Sequence, residues 1–277
     1  MSKLDIALVQ MRSGIDPARN LADAMDLIRQ AADKGVSFVA TPETTHLVQK
    51  DVDQAFSVMH FADDDPAVAA FSTLAAELGI ALLIGSLAVK IADRRAANRS
   101  FLFGPDGRLI ATYDKAHMFD VGLGAGETYS ESTNYQPGTE SVVAGIEGAN
   151  LGLSICYDLR FAYLYRHLAQ AGAQILTVPA AFTRPTGRAH WEVLLRARAI
   201  ETGCYVIAPA QGGLHEDGRR TYGHSMIVAP WGDIVAVLDH DAPDVLVSRL
   251  HINKVDEARR RIPALTHDRD LTGPVVK

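Results

Sequence analysis

Cysteine is scarce in this sequence: two residues, Cys156 and Cys204, stand among 277. So thin a supply excludes a disulfide scaffold, and two thiols this far apart read as free side chains in a reducing compartment. No run approaches the roughly 20 apolar residues of a membrane-spanning helix, so no membrane partner is expected. The stretch from Met1 enters a strand pattern without the apolar segment and cleavage site of a leader, which points to the cytoplasm. Positive charge is also short, with 27 Lys and Arg against 33 Asp and Glu and a net charge of −6. A nucleic-acid partner would want a clustered basic surface. The one dense basic run, Arg259-Arg260-Arg261, follows Asp256 and Glu257 in a helix pattern and reads as a solvated or interface face. There is no Gly-x-Ser-x-Gly elbow for a serine hydrolase. The ten histidines show no metal-ligand spacing, so neither a metal nor a cofactor is expected.

The chain has apolar material for a core that needs no staples, with 48% hydrophobic residues. Leu4–Val9 reads as a strand. Asp16-Pro17 caps a helix carrying Leu21, Ala24, Met25 and Ile28, which Gly35 closes. Val36–Ala40 is a buried strand, Pro66–Leu78 a helix, and Ile80–Ser86 the next strand. Ser100–Phe103 and Arg108–Tyr113 flank Pro105-Asp106-Gly107, a hairpin turn. Residues 116–140 show no period and read as a long functional loop. Leu151–Ile155 is a strand, and Phe161, Leu164, Tyr165 and Leu168 mark an amphipathic helix. Ile175–Pro179, a helix through Trp191 and Leu195, and Cys204–Pro209 follow. A second hairpin turns at Pro230-Trp231-Gly232-Asp233, and Val245–Leu250 closes the series. Alternating strands and helices broken by hairpins give an α/β protein with a mixed sheet or two sheets. No linker divides it, so residues 1–277 are expected to form a single domain.

Three strand ends deliver reactive groups: Glu43, Lys115 and Cys156. Loops at the carboxyl ends of strands are where α/β folds place ligands and catalytic groups. Position alone leaves Cys156 open between a nucleophile and a small buried hydrophobe. As a nucleophile it would sit in a sharp turn at a helix start, where the helix dipole and a nearby cation would lower its pKa. Cys204 opens an apolar strand and reads as core. Glu43 after Phe38-Val39-Ala40 is a carboxylate at the edge of a buried sheet, a costly place without a partner.

The segments Thr41-Pro42-Glu43, Tyr113-Asp114-Lys115-Ala116-His117 and Ile155-Cys156-Tyr157-Asp158-Leu159-Arg160-Phe161 resemble, in order and separation, the Glu–Lys–Cys motifs of the nitrilase superfamily of carbon–nitrogen hydrolases. The runs Ala180-Ala181-Phe182-Thr183, Ala189-His190-Trp191-Glu192, Arg196–Thr202 and Tyr222–Met226 are similar to its Nit1-like branch, which includes deaminated glutathione amidases. The resemblance implies a four-layer α-β-β-α sandwich that assembles into a homodimer or higher homo-oligomer. It implies a cofactor-independent thiol amidohydrolase that cleaves a small linear amide through a cysteine thioester and releases ammonia. Glu43 would be the general base, Cys156 the nucleophile, and Lys115 with the Tyr157 N–H the oxyanion partners. A second glutamate of the family fits Glu131, followed by Ser132 and by Pro137-Gly138, and not Glu127; it would have a positioning role. Substrate contacts are expected at Tyr157, Phe182, Thr183 and Arg184, with Arg188, Arg219 and Arg220 as further loop partners for substrate carboxylates. Deaminated glutathione is the first substrate expected. The alternatives are an ω-amidase on α-ketoglutaramate or α-ketosuccinamate, an N-carbamoyl amino acid hydrolase, and a catalytically idle interaction protein. The chain departs from the family at Ala162-Tyr163, where Pro-Glu is common.

Overall fold

The computed structural model describes residues 3–124 and 127–274. Met1 and Ser2, on which the reading of a leaderless start falls, lie outside the described residues, as does the side chain of Glu127. Two six-stranded mixed sheets form the centre. The first runs in the order Asp244–His251, Lys3–Gln10, Phe38–Ala40, Ala81–Ala92, Arg95–Phe103, Leu109–Asp114. Its middle strands are parallel, with antiparallel strands at both edges. The second runs Ile234–Val237, Met226–Val228, Tyr205–Ala208, Ile175–Thr177, Ala149–Gly152, Val143–Ile146, again parallel only in the middle.

Strand alternation decides the layering, because successive side chains point to opposite faces. Ile6, Leu8, Phe38, Ala40 and Leu83 face the second sheet and pack in one cluster with Leu151, Ile175, Leu176 and Ile207. Their neighbours Ala7, Val9, Val39, Leu82 and Ile84 face the other way, toward helices. The α-helices are α1 (Pro17–Ala32), α2 (Val52–Val58), α3 (Pro66–Leu78), α4 (Ala162–Gln170), α5 (Arg184–Thr202) and α6 (Asn253–Arg261). Helices α1 and α3 cover the first sheet through Ala24, Ile28, Phe71 and Leu74; α4 and α5 cover the second through Leu164, Leu168, Trp191 and Leu195. The result is the expected α-β-β-α sandwich. Each Leu, Ile or Phe fully buried this way contributes about 1.5–3 kcal/mol. No helix among the described residues is long and apolar enough to cross a membrane.

Local signals behave as their chemistry requires. The Asp16 side chain accepts from Ala18 and Arg19 N–H ahead of Pro17, and Asp65 caps α3 through Ala67 N–H. The turn between Arg95–Phe103 and Leu109–Asp114 closes with Gly104 N–H donating to Arg108 O. Three expectations need correction. Residues 116–140 contain a hairpin, Asp120–Gly124 with Glu127–Ser130, and a helical turn at Glu131–Thr133. The hairpin lies off both six-stranded sheets, and its alternation is short, with Val121 and Leu123 half-buried between exposed Asp120, Gly122 and Gly124. The strand read as Ile80–Ser86 continues to Ala92, since Leu87, Ala88 and Val89 are still buried, and its partner begins at Arg95. The strand read as Leu151–Ile155 ends at Gly152, so the chain leaves the sheet before it reaches Cys156.

Candidate active site

Glu43 is delivered by the end of the Phe38–Ala40 strand into a turn tied to the neighbouring strand. Thr45 N–H donates to Ser86 O, and Thr44 N–H donates to the Ser86 hydroxyl at 2.9 Å. Thr44 sits at φ 52, a left-handed conformation that β-branched residues rarely adopt. Beneath the turn the two sheets nearly touch. A Cβ on Gly85 would lie 2.0 Å from Thr41 O and 2.4 Å from Pro179 Cβ, so only glycine lets the Glu43 turn and the second sheet approach this closely.

Lys115 follows the Leu109–Asp114 strand, its backbone N–H bonded to Asn98 O. Cys156 has φ 50, and its N–H donates to Pro179 O at 2.9 Å. Two of the three non-glycine residues at positive φ among the described residues, Thr44 and Cys156, are thus at or beside the groups singled out above. Backbone strain of this kind persists only where surrounding structure overdetermines it. At Cys156 the overdetermining group is Asp158. Its carboxylate is fully buried. It accepts from Ile155 N–H at 2.9 Å, the Tyr113 hydroxyl at 2.7 Å and His117 N–H at 3.0 Å, and it meets His117 Nδ1 at 2.6 Å.

The side chains converge on a buried ionic cluster. Lys115 Nζ donates to Glu43 Oε1 at 2.9 Å and to Glu131 at 2.9 and 3.1 Å. Asn98 Nδ2 donates to Glu43 Oε1 at 2.9 Å and reaches Glu131 Oε1 at 3.3 Å. Ala181 N–H donates to Glu43 Oε2 at 2.9 Å, and Phe119 N–H to Glu131 Oε2 at 2.7 Å. Lys115, Glu43 and Cys156 are 2%, 4% and 7% exposed. A buried charge of either sign costs several kcal/mol unless it is paired and hydrogen-bonded, and here each has partners.

Burial pushes the Glu43 carboxyl up, but the Lys115 charge and hydrogen bonds from Cys156, Lys115 and Asn98 outweigh it and hold the group below the usual range. Burial works against the Lys115 ammonium, yet the charges of Glu131 and Glu43 keep it protonated well above the usual lysine value. Burial and then the Glu43 charge push the Cys156 thiol well up, against the opposing pull of Lys115. The expectation of a thiol acidified by a helix dipole is therefore corrected. The helix that starts at Cys156 is a single five-residue 3-10 turn, and α4 begins only at Ala162. The site holds a carboxylate, an ammonium and a neutral thiol, a set that can take a proton from sulfur as it attacks.

A cavity of about 620 Å³ contains Glu43, Lys115, Glu131 and Cys156, together with the expected contacts Tyr157, Phe182 and Thr183. Leu47, Val52, Ala55 and Met59 give it one apolar wall. Arg160 also lines it, its guanidinium 5.5 Å from the Phe182 ring and 5.8 Å from that of Tyr157. Arg184 is not brought into this cavity. It and Arg188 lie on α5 rather than on a loop, and they line an adjoining cleft. Arg219 and Arg220 line both. Sequence reasoning missed Asn98, whose one signal is a carboxamide inside a strand, where asparagine is depleted. It gave no role to Asp158. Cys204 is core as expected, with the Arg259 guanidinium 3.0 Å from its sulfur. The basic run is thus partly structural, and Arg261 stacks on Trp231 at 3.7 Å.

The family model described as carbon–nitrogen hydrolase matches residues 5–260. The chain is 39% identical over 265 residues to a deaminated glutathione amidase from Synechocystis, covering 94% of this chain and 96% of that one. Among solved structures it is similar to the NitFhit protein of C. elegans, with TM-score 0.91 and 36% identity over 97% of this chain and 66% of that one. It is also similar to an amidase from Nesterenkonia, in the form of a glutamate-to-glutamine mutant with acrylamide added at the active-site cysteine. That likeness has TM-score 0.79 and 26% identity, over 94% of this chain and 98% of that one.

Proposed function

Because this chain belongs to the carbon–nitrogen hydrolase family, an amidase of the nitrilase superfamily, we propose that Cys156 is its nucleophile, Glu43 its general base and Lys115 its oxyanion partner. The observation that carries this is the buried Cys156 thiol held in one cavity with the Glu43 carboxylate, which the Lys115 ammonium pairs at 2.9 Å. Glu43 takes the thiol proton as sulfur attacks the amide carbon. The developing oxyanion faces the Lys115 ammonium and the Tyr157 N–H; one such donor is typically worth ~10²–10³ in rate. The C–N bond breaks as Glu43 returns the proton to the leaving amine, and a thioester remains. Water, deprotonated by Glu43, then attacks the thioester to release the acid and restore the thiol. Glu131 and Asn98 do no proton transfer in this scheme. They hold Lys115 and Glu43 in register.

The substrate we propose is deaminated glutathione, supported by the names of similar relatives and by the cavity volume of about 620 Å³. Its scissile amide joins a 2-oxo dicarboxylate to cysteinylglycine, so the leaving amine is that dipeptide. Ammonia leaves only where the group cleaved carries a terminal NH2, so the expectation of ammonia release applies to the ω-amidase and N-carbamoyl readings and not to deaminated glutathione. The deaminated glutathione and ω-amidase readings share the same acyl half. The test is to assay 2-oxoglutarate formed from deaminated glutathione and from α-ketoglutaramate, beside a simple N-carbamoyl amino acid. A higher kcat/KM on either of the last two would overturn the substrate reading and leave the chemistry standing. We also propose that the chain pairs with a second copy, supported by the exposed Tyr163, Val193 and Ile200 on α4 and α5. Gel filtration at the size of one 277-residue chain would refute that.

A further inference from the structure

The cleft next to the amidase cavity has a composition that the chemistry at Cys156 does not use. It has a volume of about 570 Å³ and is lined by Lys50, Arg184, Arg188, Arg219 and Arg220, with Asp217 the one carboxylate. Asp217 is occupied, because it accepts from Arg219 N–H at 2.9 Å and from Arg219 Nε at 2.6 Å. Among the described residues Lys50, Arg184, Arg188 and Arg220 have no ion-pair partner. Arg184 and Arg188 are four residues apart on α5 and so share one helix face. The protein as a whole carries a charge of −6, which makes four unpaired cations around one cleft a local reversal of sign. The cleft is continuous with the amidase cavity, since Lys50, Tyr129, Arg219 and Arg220 line both.

We propose that this cleft binds the terminal carboxylate of the amine half of a peptide-like amide substrate, and that Arg184 and Arg188 are its specificity-determining residues. The proposal rests on the deaminated glutathione reading, in which the amine half is a dipeptide ending in a carboxylate. A substrate whose carbonyl sits at Cys156 can extend its leaving group along the shared wall formed by Tyr129, Arg219 and Arg220. Its carboxylate then meets guanidinium groups that no protein carboxylate occupies. Planar guanidinium forks bind carboxylates in paired, charge-assisted hydrogen bonds. A primary amide has no amine half to reach the cleft. The cleft therefore acts on the choice between the long and the short substrate and leaves the chemical step untouched.

The experiment compares wild type with the Arg184→Ala/Arg188→Ala variant on three substrates: deaminated glutathione, its C-terminal glycinamide, and α-ketoglutaramate. The expected result is a loss of roughly tenfold or more in kcat/KM on deaminated glutathione, carried by KM. The glycinamide and α-ketoglutaramate should change by less than about twofold. Equal losses on all three substrates, or none on the first, would overturn the proposal. A second measurement stands apart from turnover: calorimetric binding of deaminated glutathione and of its glycinamide to the Cys156→Ala protein. The carboxylate form should bind about tenfold tighter, and the two arginine substitutions should erase that preference. Equal affinity for the two forms sinks the cleft assignment whatever the substrate is. A wild-type enzyme that binds the carboxylate form tightly yet cleaves only α-ketoglutaramate would sink the substrate reading and leave the cleft in place.

Discussion

The Tyr113 hydroxyl donates to the Asp158 carboxylate across 2.7 Å, tying the strand that leads to Lys115 to the turn that presents Cys156. Tyr113 belongs to the first sheet, and Asp158 to the 3-10 turn that follows a strand of the second. Their bond joins the segment that carries the ammonium to the one that carries the thiol. Burial, then the Asp158 charge and hydrogen bond, push the Tyr113 phenol far up, so it stays a donor at any working pH. Replacing Asp158 by Asn turns one acceptor oxygen into a donor facing other donors. The Asp158→Asn protein should lose about 2–4 kcal/mol of stability and at least about tenfold in kcat. Denaturant unfolding and steady-state kinetics check both, and a variant with full stability and full kcat would remove Asp158 from this role.

Glu43→Gln keeps the shape of the site and removes the base. The kcat/KM should fall by about 10²–10⁴. Alkylation of Cys156 by iodoacetamide should slow in parallel, because the same carboxylate accepts the thiol proton. Labelling as fast as in wild type would mean that sulfur is activated by another group.

The pKa directions set a pH profile. Glu43 is held below its ordinary 4.5 and Lys115 above its ordinary 10.5, so both keep their working charges across the neutral range. The kcat/KM should be flat from about pH 5.5 to about pH 9. It should not rise through the ordinary thiol range near about 8.5, since the reacting form of Cys156 is the thiol. An ascending limb centred there would show that a free thiolate does the work.

Asn98 holds Glu43 and touches Glu131 with one amide nitrogen. Hydrogen bonds to charged groups are worth about 1.5–3 kcal/mol. Asn98→Ala should therefore cost roughly 10–100-fold in kcat with little change in KM, because the residue orders the base Glu43 and not the substrate. An effect confined to KM would place Asn98 on the substrate instead.

His46 gives a separate stability prediction. Both ring nitrogens are buried without a partner, and burial, opposed by the Asp65 charge, brings its pKa from 6.5 down to about 4. The unfolded chain binds the proton more readily, so the stability is full above pH 6.5 and is lost as pH falls toward 4. The loss should reach about 3 kcal/mol. His46→Leu should flatten the pH dependence of unfolding over that window. An unchanged slope would assign the acid sensitivity elsewhere.

Much of this protein was legible one segment at a time. Asp16-Pro17 marked a helix start because capping is a local hydrogen-bond problem, and Pro105-Asp106-Gly107 marked a turn for the same reason. The order of Glu43, Lys115 and Cys156, read with their flanking residues, brought the family into view. The hairpin of Asp120–Gly124 with Glu127–Ser130 was illegible because its alternation spans only a few residues and lies off both six-stranded sheets. Asn98, the Asp158 hub and the cleft with Arg184 and Arg188 depend on contacts between residues far apart in the chain, which no local pattern records. The charge states were decided by tertiary structure as well. Position at the start of a helical turn suggested an acidified Cys156, but burial together with the neighbouring Glu43 raises the thiol instead. Electrostatic energy depends on distance and on exclusion of water, and both are set only when the two sheets close over the site.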